Sequence, residues 1–146
     1  MEDLTTQVPE KRRGKTMSAT IQPDPGPRTV WFDRTTNEFH YDNGTGTITV
    51  VCKKTDPLER TIYIRRRDDQ TWRFVQGSFT WDNKEKIKDG RWVLTARVED
   101  HLITIEDLVE HSRTYKYGFS IEFDDGTPPH TEDPELQNRK EVGGNG

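Results

Sequence analysis

From Tyr115 to Phe123 every second residue is large and apolar (Tyr115, Tyr117, Phe119, Ile121 and Phe123), with Lys116, Gly118, Ser120 and Glu122 between them. Side chains on a β-strand alternate between faces, so this spacing predicts a strand with an aromatic row in a core and a polar row toward solvent. The same rhythm recurs upstream: Ile48, Val50 and Cys52 share a face, as do Ile62 with Ile64, and Trp92 with Leu94, Ala96 and Val98. Polar residues interrupt each set, which fits half-buried antiparallel strands better than doubly covered parallel ones.

Turn-forming residues bound these runs at the spacing of a sandwich or barrel of short strands. Strands are predicted at Thr29–Asp33, Glu38–Asp42, Gly46–Lys53, Arg60–Arg66, Trp72–Gln76, Ser78–Trp81, Arg91–Arg97, His101–Ile105 and Tyr115–Phe123. Thr35, Thr36 and Asn37 read as a hairpin connection, Asp42, Asn43 and Gly44 as a tight turn, and Asp56–Pro57 and Asp89–Gly90 as further reversals. Only Ile105–His111 has any helical character, a turn or two at most, and it reads equally as a loop. The fold expected is therefore all-β, an antiparallel immunoglobulin-like β-sandwich of about seven to nine strands.

Residues 1–27 are polar and close on Pro23, Pro25 and Pro27, which predicts a disordered N-terminal arm. Met17 within it offers a second start. The sandwich is assigned to residues 28–126, and residues 127–146, with Pro128, Pro129, Pro134 and a glycine-rich end, to a flexible C-terminal tail. Mean hydropathy is low at -1.04, with 29% hydrophobic residues, so a core is feasible only because Trp31, Trp72, Trp81, Trp92 and most other rings fall in the central part.

The 22 basic and 26 acidic side chains nearly cancel, leaving a formal charge of -4. No long stretch is polycationic, so the general electrostatic signature of a nucleic-acid binder is missing from the totals. Cys52 is the only cysteine, which excludes an intramolecular disulfide and a four-cysteine metal site and favours a reducing compartment. No apolar stretch of membrane-spanning length occurs, and Lys11, Arg12, Arg13 and Lys15 precede no signal-like apolar region. A cytoplasmic protein without membrane contact is expected.

The densest basic and aromatic grouping is Arg65, Arg66 and Arg67 with Trp72 and Arg73. Guanidinium forks suit phosphates and an exposed indole stacks on bases, so this set is the candidate ligand-binding patch; Asp68 and Asp69 beside it also fit a charge-neutral strand edge. Acidic clusters at Asp68–Asp69, Glu99–Asp100 and Asp124–Asp125, with Glu132, Asp133 and Glu135, supply the roughly six to eight oxygens of a calcium site only where loops at one end of a sandwich combine several of them, and Asp82–Gly90 lacks the acidic spacing of an EF-hand. His40, His101, His111 and His130 are scattered, Cys52 is in phase with core residues, and no serine sits in a nucleophile elbow. No catalytic residue, metal site or cofactor is therefore assigned. The four tryptophans are expected mainly in the core, with a sugar- or peptide-facing role for any left outside.

From Thr29 to Asn138 the order of features resembles the small bacterial proteins of the DP-EP family: an opening hairpin, a strand leading to Trp72, Phe74 and Gly77, an alternating last strand, then Asp133-Pro134-Glu135-Leu136-Gln137-Asn138. Arg139 and Lys140 stand where that family has an acidic Glu-Pro ending. The resemblance implies a compact β-sandwich without an assigned activity. The expected function is a non-catalytic interaction module that meets a protein partner or a second copy of itself through a strand edge. Nucleic-acid or phosphate binding at the arginine–tryptophan patch, and calcium or carbohydrate binding, are the alternatives.

Overall fold

A computed structural model describes residues 26–141, and among them every regular element is a strand. The first sheet contains β1 (Arg28–Asp33), β2 (Glu38–Tyr41), β4 (Glu59–Arg66), β7 (Leu94–Glu99) and β8 (Leu102–Leu108), in the order β2-β1-β4-β8-β7. The second contains β3 (Ile48–Cys52), β5 (Arg73–Phe74), β6 (Thr80–Trp81), β9 (Arg113–Glu122), β10 (His130–Glu132) and β11 (Glu135–Lys140). Its spine is β9. On one flank β10 and β11 follow a single antiparallel register, His130 opposite Ile121 and Glu135 opposite Lys116, interrupted at Asp133–Pro134 where proline has no N–H to give. On the other flank β5 and β6 each add a short antiparallel pairing.

The all-β, two-sheet architecture holds, but the sheets are mixed rather than antiparallel. β1 runs parallel to β4, and β3 parallel to β11. Among the described residues the strands number eleven instead of seven to nine, because the segment expected to be a flexible tail from residue 127 supplies β10 and β11, and β11 is an internal strand between β9 and β3. Residues 142–146 of that tail lie outside the described residues, as does the predicted arm except for Gly26 and Pro27. The Ile105–His111 stretch is strand as far as Leu108, with no helical turn.

The predicted aromatic row is the centre of the core: Tyr115, Tyr117, Phe119 and Ile121 are all buried. Phe119 takes Phe74 at 5.5 Å and Phe39 at 5.7 Å edge-on, and Trp72 meets Phe74 at 5.1 Å in the same manner. Edge-to-face contact sets a positive ring rim on a negative ring face, and each buried ring removes roughly 150–250 Å² from water, about 4–6 kcal/mol of transfer free energy. Since Phe39 is on the first sheet and Phe74 and Phe119 on the second, these rings bind the layers together. Turn chemistry follows the sequence: Asn37 (φ 59°), Gly44 (φ 94°) and Gly90 (φ 98°) take the left-handed conformations their hairpins require.

Candidate functional site

β7 is the last strand of the first sheet, and its hydrogen-bonding parity determines what it offers. Val109 N–H donates to Leu58 O and Arg66 N–H to His101 O, so odd-numbered residues of β8 serve β4 and even-numbered ones serve β7. Even-numbered residues of β8 face Thr95, Arg97 and Glu99, which leaves Leu94, Ala96 and Val98 with their N–H and C=O groups turned away from β8. Thr95, Ala96 and Arg97 are all exposed. A free edge of this kind can accept another strand.

Both sides of that edge are shaped. Between the sheets, where Ala96 leaves the core open, a cleft of about 340 Å³ is lined by Phe79, Trp81, Leu94, Ala96 and Val98. On the outer face a groove of about 570 Å³ is lined by Trp92, Leu108, Thr61, Thr95, Glu59 and Glu106. Trp92 is the most exposed large hydrophobic residue described, at 45%, and Tyr63, on the same outer face as Thr61, is next at 39%. The indole of Trp92 is held by Trp81, edge-on at 6.2 Å, and by Lys86, whose Nζ lies 4.7 Å from the ring centre; Trp81 rests in turn on Tyr115 at 5.4 Å.

Charges around β7 are matched internally. Arg91 pairs with Asp89 at 2.7 Å and Glu59 at 3.3 Å, and the Arg91 contact holds the Asp89 carboxyl below its ordinary range. Arg97 pairs with Glu99 at 3.3 Å, and Thr61 Oγ1 donates to Glu106 Oε1 at 3.0 Å. The region offers backbone groups, apolar clefts and aromatic faces, with no nucleophile set beside a base.

The arginine–tryptophan patch does not assemble. Trp72 is 1% exposed in the core, so it cannot stack on a ligand, and its ring N–H donates to Gln70 Oε1. Arg73 is on the second sheet, bound to Glu122 at 2.9 Å and Asp124 at 2.6 Å. Arg66 donates to the Trp72 carbonyl, and Arg67 lies 4.2 Å over Trp31 while pairing with Asp69 at 2.7 Å. Arg65, Arg66 and Arg67 do share a shallow depression of about 410 Å³ with Thr29, but Asp68 and Asp69 line it too. Cys52 is buried, as its phase predicts. Among the described residues no three His, Cys, Asp or Glu side chains converge as metal ligands.

A feature that alternation does not reveal is a polar cluster at one end of the core. Arg60, on the core face of β4, donates to Asp56 Oδ2 at 3.1 Å and to the carbonyls of Pro57 and Glu59. Asp107, on the core face of β8, accepts from Asn138 Nδ2 of β11 at 2.7 Å, a direct bond between the sheets. Arg60 Nε, Asp107 Oδ2 and Asn138 Oδ1 are buried without a hydrogen-bond partner. Burial pushes the Asp107 carboxyl up to about 7, against the opposing pull of the Asn138 bond and the Arg60 charge.

No protein-family model matches the sequence, and no curated protein is significantly similar to it.

Proposed function

We propose that this chain is a non-catalytic interaction module, an immunoglobulin-like sandwich that takes an extended polypeptide segment onto β7. The observation that carries the reading is the outward-turned backbone of Leu94, Ala96 and Val98 at an edge whose middle three residues are exposed. Strand addition draws affinity from main-chain hydrogen bonds and selectivity from pockets for alternate side chains. Here alternate positions fall over the Phe79–Trp81–Val98 cleft and the Trp92–Leu108 groove, so the segment favoured has apolar side chains on both faces near its centre. Trp92 and Trp81 fit the part of rigid aromatic anchors.

The test is selection of peptides from a random display library panned against the full chain, with affinities measured for the wild type and Ala96→Pro. Proline at 96 removes an N–H that points away from β8, so the ladder inside the sheet stays intact while the edge loses a donor and gains a ring. Binding by alternating peptides that is lost in Ala96→Pro at unchanged melting temperature is the expected result. Failure to select any peptide, together with a monomer at every concentration in sedimentation equilibrium, or binding indifferent to Ala96→Pro, overturns the reading.

A further inference from the structure

The open edge of β7 is short, and the chain itself closes it at both ends. At its start, Val93 N–H donates to Glu85 O at 3.0 Å, which sets the stretch 85–87 beside 91–93. At its finish, Phe74 N–H of β5 donates to Asp100 O at 2.9 Å. Between these closures lie Leu94, Ala96 and Val98, with their backbone groups turned away from β8. The open stretch from Leu94 to Val98 is five residues, about 14 Å of extended chain. A segment that stayed extended beyond it would run into the 85–87 stretch on one side and β5 on the other. An internal segment therefore has to turn away twice, whereas a chain terminus turns only once.

The Leu94 end also carries charge. Lys84, next in sequence to Glu85, lines the cleft with Phe79, Trp81, Leu94 and Ala96, and it is exposed. Among the described residues no carboxylate pairs with it. The acids nearest in sequence are engaged elsewhere: Asp82 Oδ1 accepts from Lys116 N–H at 2.7 Å, and Glu85 pairs with Arg113 at 3.3 Å. An unpaired ammonium at the place where a strand edge stops is complementary to a carboxylate that ends an added strand. Because β7 runs from Leu94 toward Glu99, a strand laid antiparallel to it finishes at the Leu94 end, where Lys84 is.

Building on strand addition at β7, we propose that the segment received there is the free C-terminus of another polypeptide, bound antiparallel, with its terminal carboxylate on Lys84 Nζ. With the last residue opposite Leu94, the residue two before it lies opposite Ala96. Opposite residues share a face, so that side chain lies over the Phe79–Trp81 wall of the cleft, and an apolar residue is favoured there.

The experiment pans random heptapeptides displayed with free C-termini against the full chain. The tightest is synthesised as the free acid, as the C-terminal amide, as an amide ending in an added Asp, and with Gly-Ser-Gly-Ser appended, and affinities are measured by fluorescence anisotropy. The free acid is expected to bind at least about tenfold tighter than the amide and the extended peptide. That advantage should vanish in Lys84→Ala, which removes an exposed side chain and leaves the core intact, and all binding should be lost in Ala96→Pro. Equal binding of amide and free acid, or an advantage that survives Lys84→Ala, overturns terminal capture; loss of both peptides in Ala96→Pro then leaves strand addition standing. An Asp-ended amide as tight as the free acid means that Lys84 takes an acidic side chain, and terminal capture is wrong. No binder from the free-terminus library also overturns it, while panning of peptides flanked on both sides decides strand addition separately.

Discussion

The interior has two chemically different halves. Around Phe119 the sheets meet through rings, Phe39 from one side and Phe74 and Tyr117 from the other, and the buried hydroxyl in this half, that of Tyr117, donates to Gly46 O at 2.7 Å. Around Asp107 they meet through a carboxylate–amide bond, with the Arg60–Asp56 pair beside it. Apolar burial is indifferent to proton concentration, whereas a buried carboxylate carries a desolvation cost that depends on whether it is ionised. The aromatic half therefore holds the layers together equally well from pH 5 to pH 8, and the polar half makes part of the stability conditional over that range.

Three substitutions separate the halves, and a fourth probes the surface. Phe119→Ala, deleting a fully buried ring between the sheets, should cost about 3–5 kcal/mol and the same at pH 5 and pH 8, checked by urea unfolding at both values. The Asp107 carboxyl is raised in the folded state, so the native protein binds more protons than the unfolded chain between pH ~4 and ~7. Its contribution is intact below about pH 4, declines as pH rises toward 7, and is flat above, a loss of at most roughly 4 kcal/mol. Asp107→Asn keeps the shape and removes the titration, so the variant should gain on the wild type from pH 5 to pH 8; parallel stability curves would contradict the assignment.

Asn138→Ala removes the donor that favours the ionised carboxylate, and should cost about 1–3 kcal/mol, more at pH 8 than at pH 5. An equal cost at both pH values would mean that Asn138 matters only for packing. The smallest stability effect is expected at the surface: Trp92→Ala, at an exposed ring, should change thermal stability by less than about 0.5–1 kcal/mol. The same change should weaken peptides selected on β7 by more than about tenfold, measured by fluorescence titration.

The division between the halves also explains what the sequence disclosed. Where the core is aromatic, alternation is plain, and the Tyr115–Ile121 row, the Ile48–Cys52 face and the Ile62–Ile64 pair lie where their spacing puts them. Where the core is polar, alternation fails because inward positions are Asp107 and Asn138. The end of β8 consequently imitates a helix start, and β11, whose one apolar residue is Leu136, resembles a tail amid prolines. No local signal marks the parallel pairing of β11 with β3, which joins residues about ninety positions apart. At the candidate site, the Leu94–Ala96–Val98 face was legible as a periodicity, but its edge position was not, because strand order is a property of the whole sheet, and Trp92, in phase with that face by spacing, lines the outer groove instead. The arginine cluster misled for a related reason: sequence proximity placed Trp72 and Arg73 beside Arg65–Arg67, while the chain leaves the first sheet after Arg66 and sends Trp72 inward.

Amide hydrogen exchange along β7, followed residue by residue by NMR in the full chain, tests directly whether this edge is free to receive a strand. Thr95 and Arg97, bonded to β8, should be strongly protected, and Ala96 between them should exchange nearly as fast as an open chain until a selected peptide is added, when it becomes protected as well. A slow Ala96 in the protein alone, or one that stays fast with peptide bound, would contradict strand addition at β7.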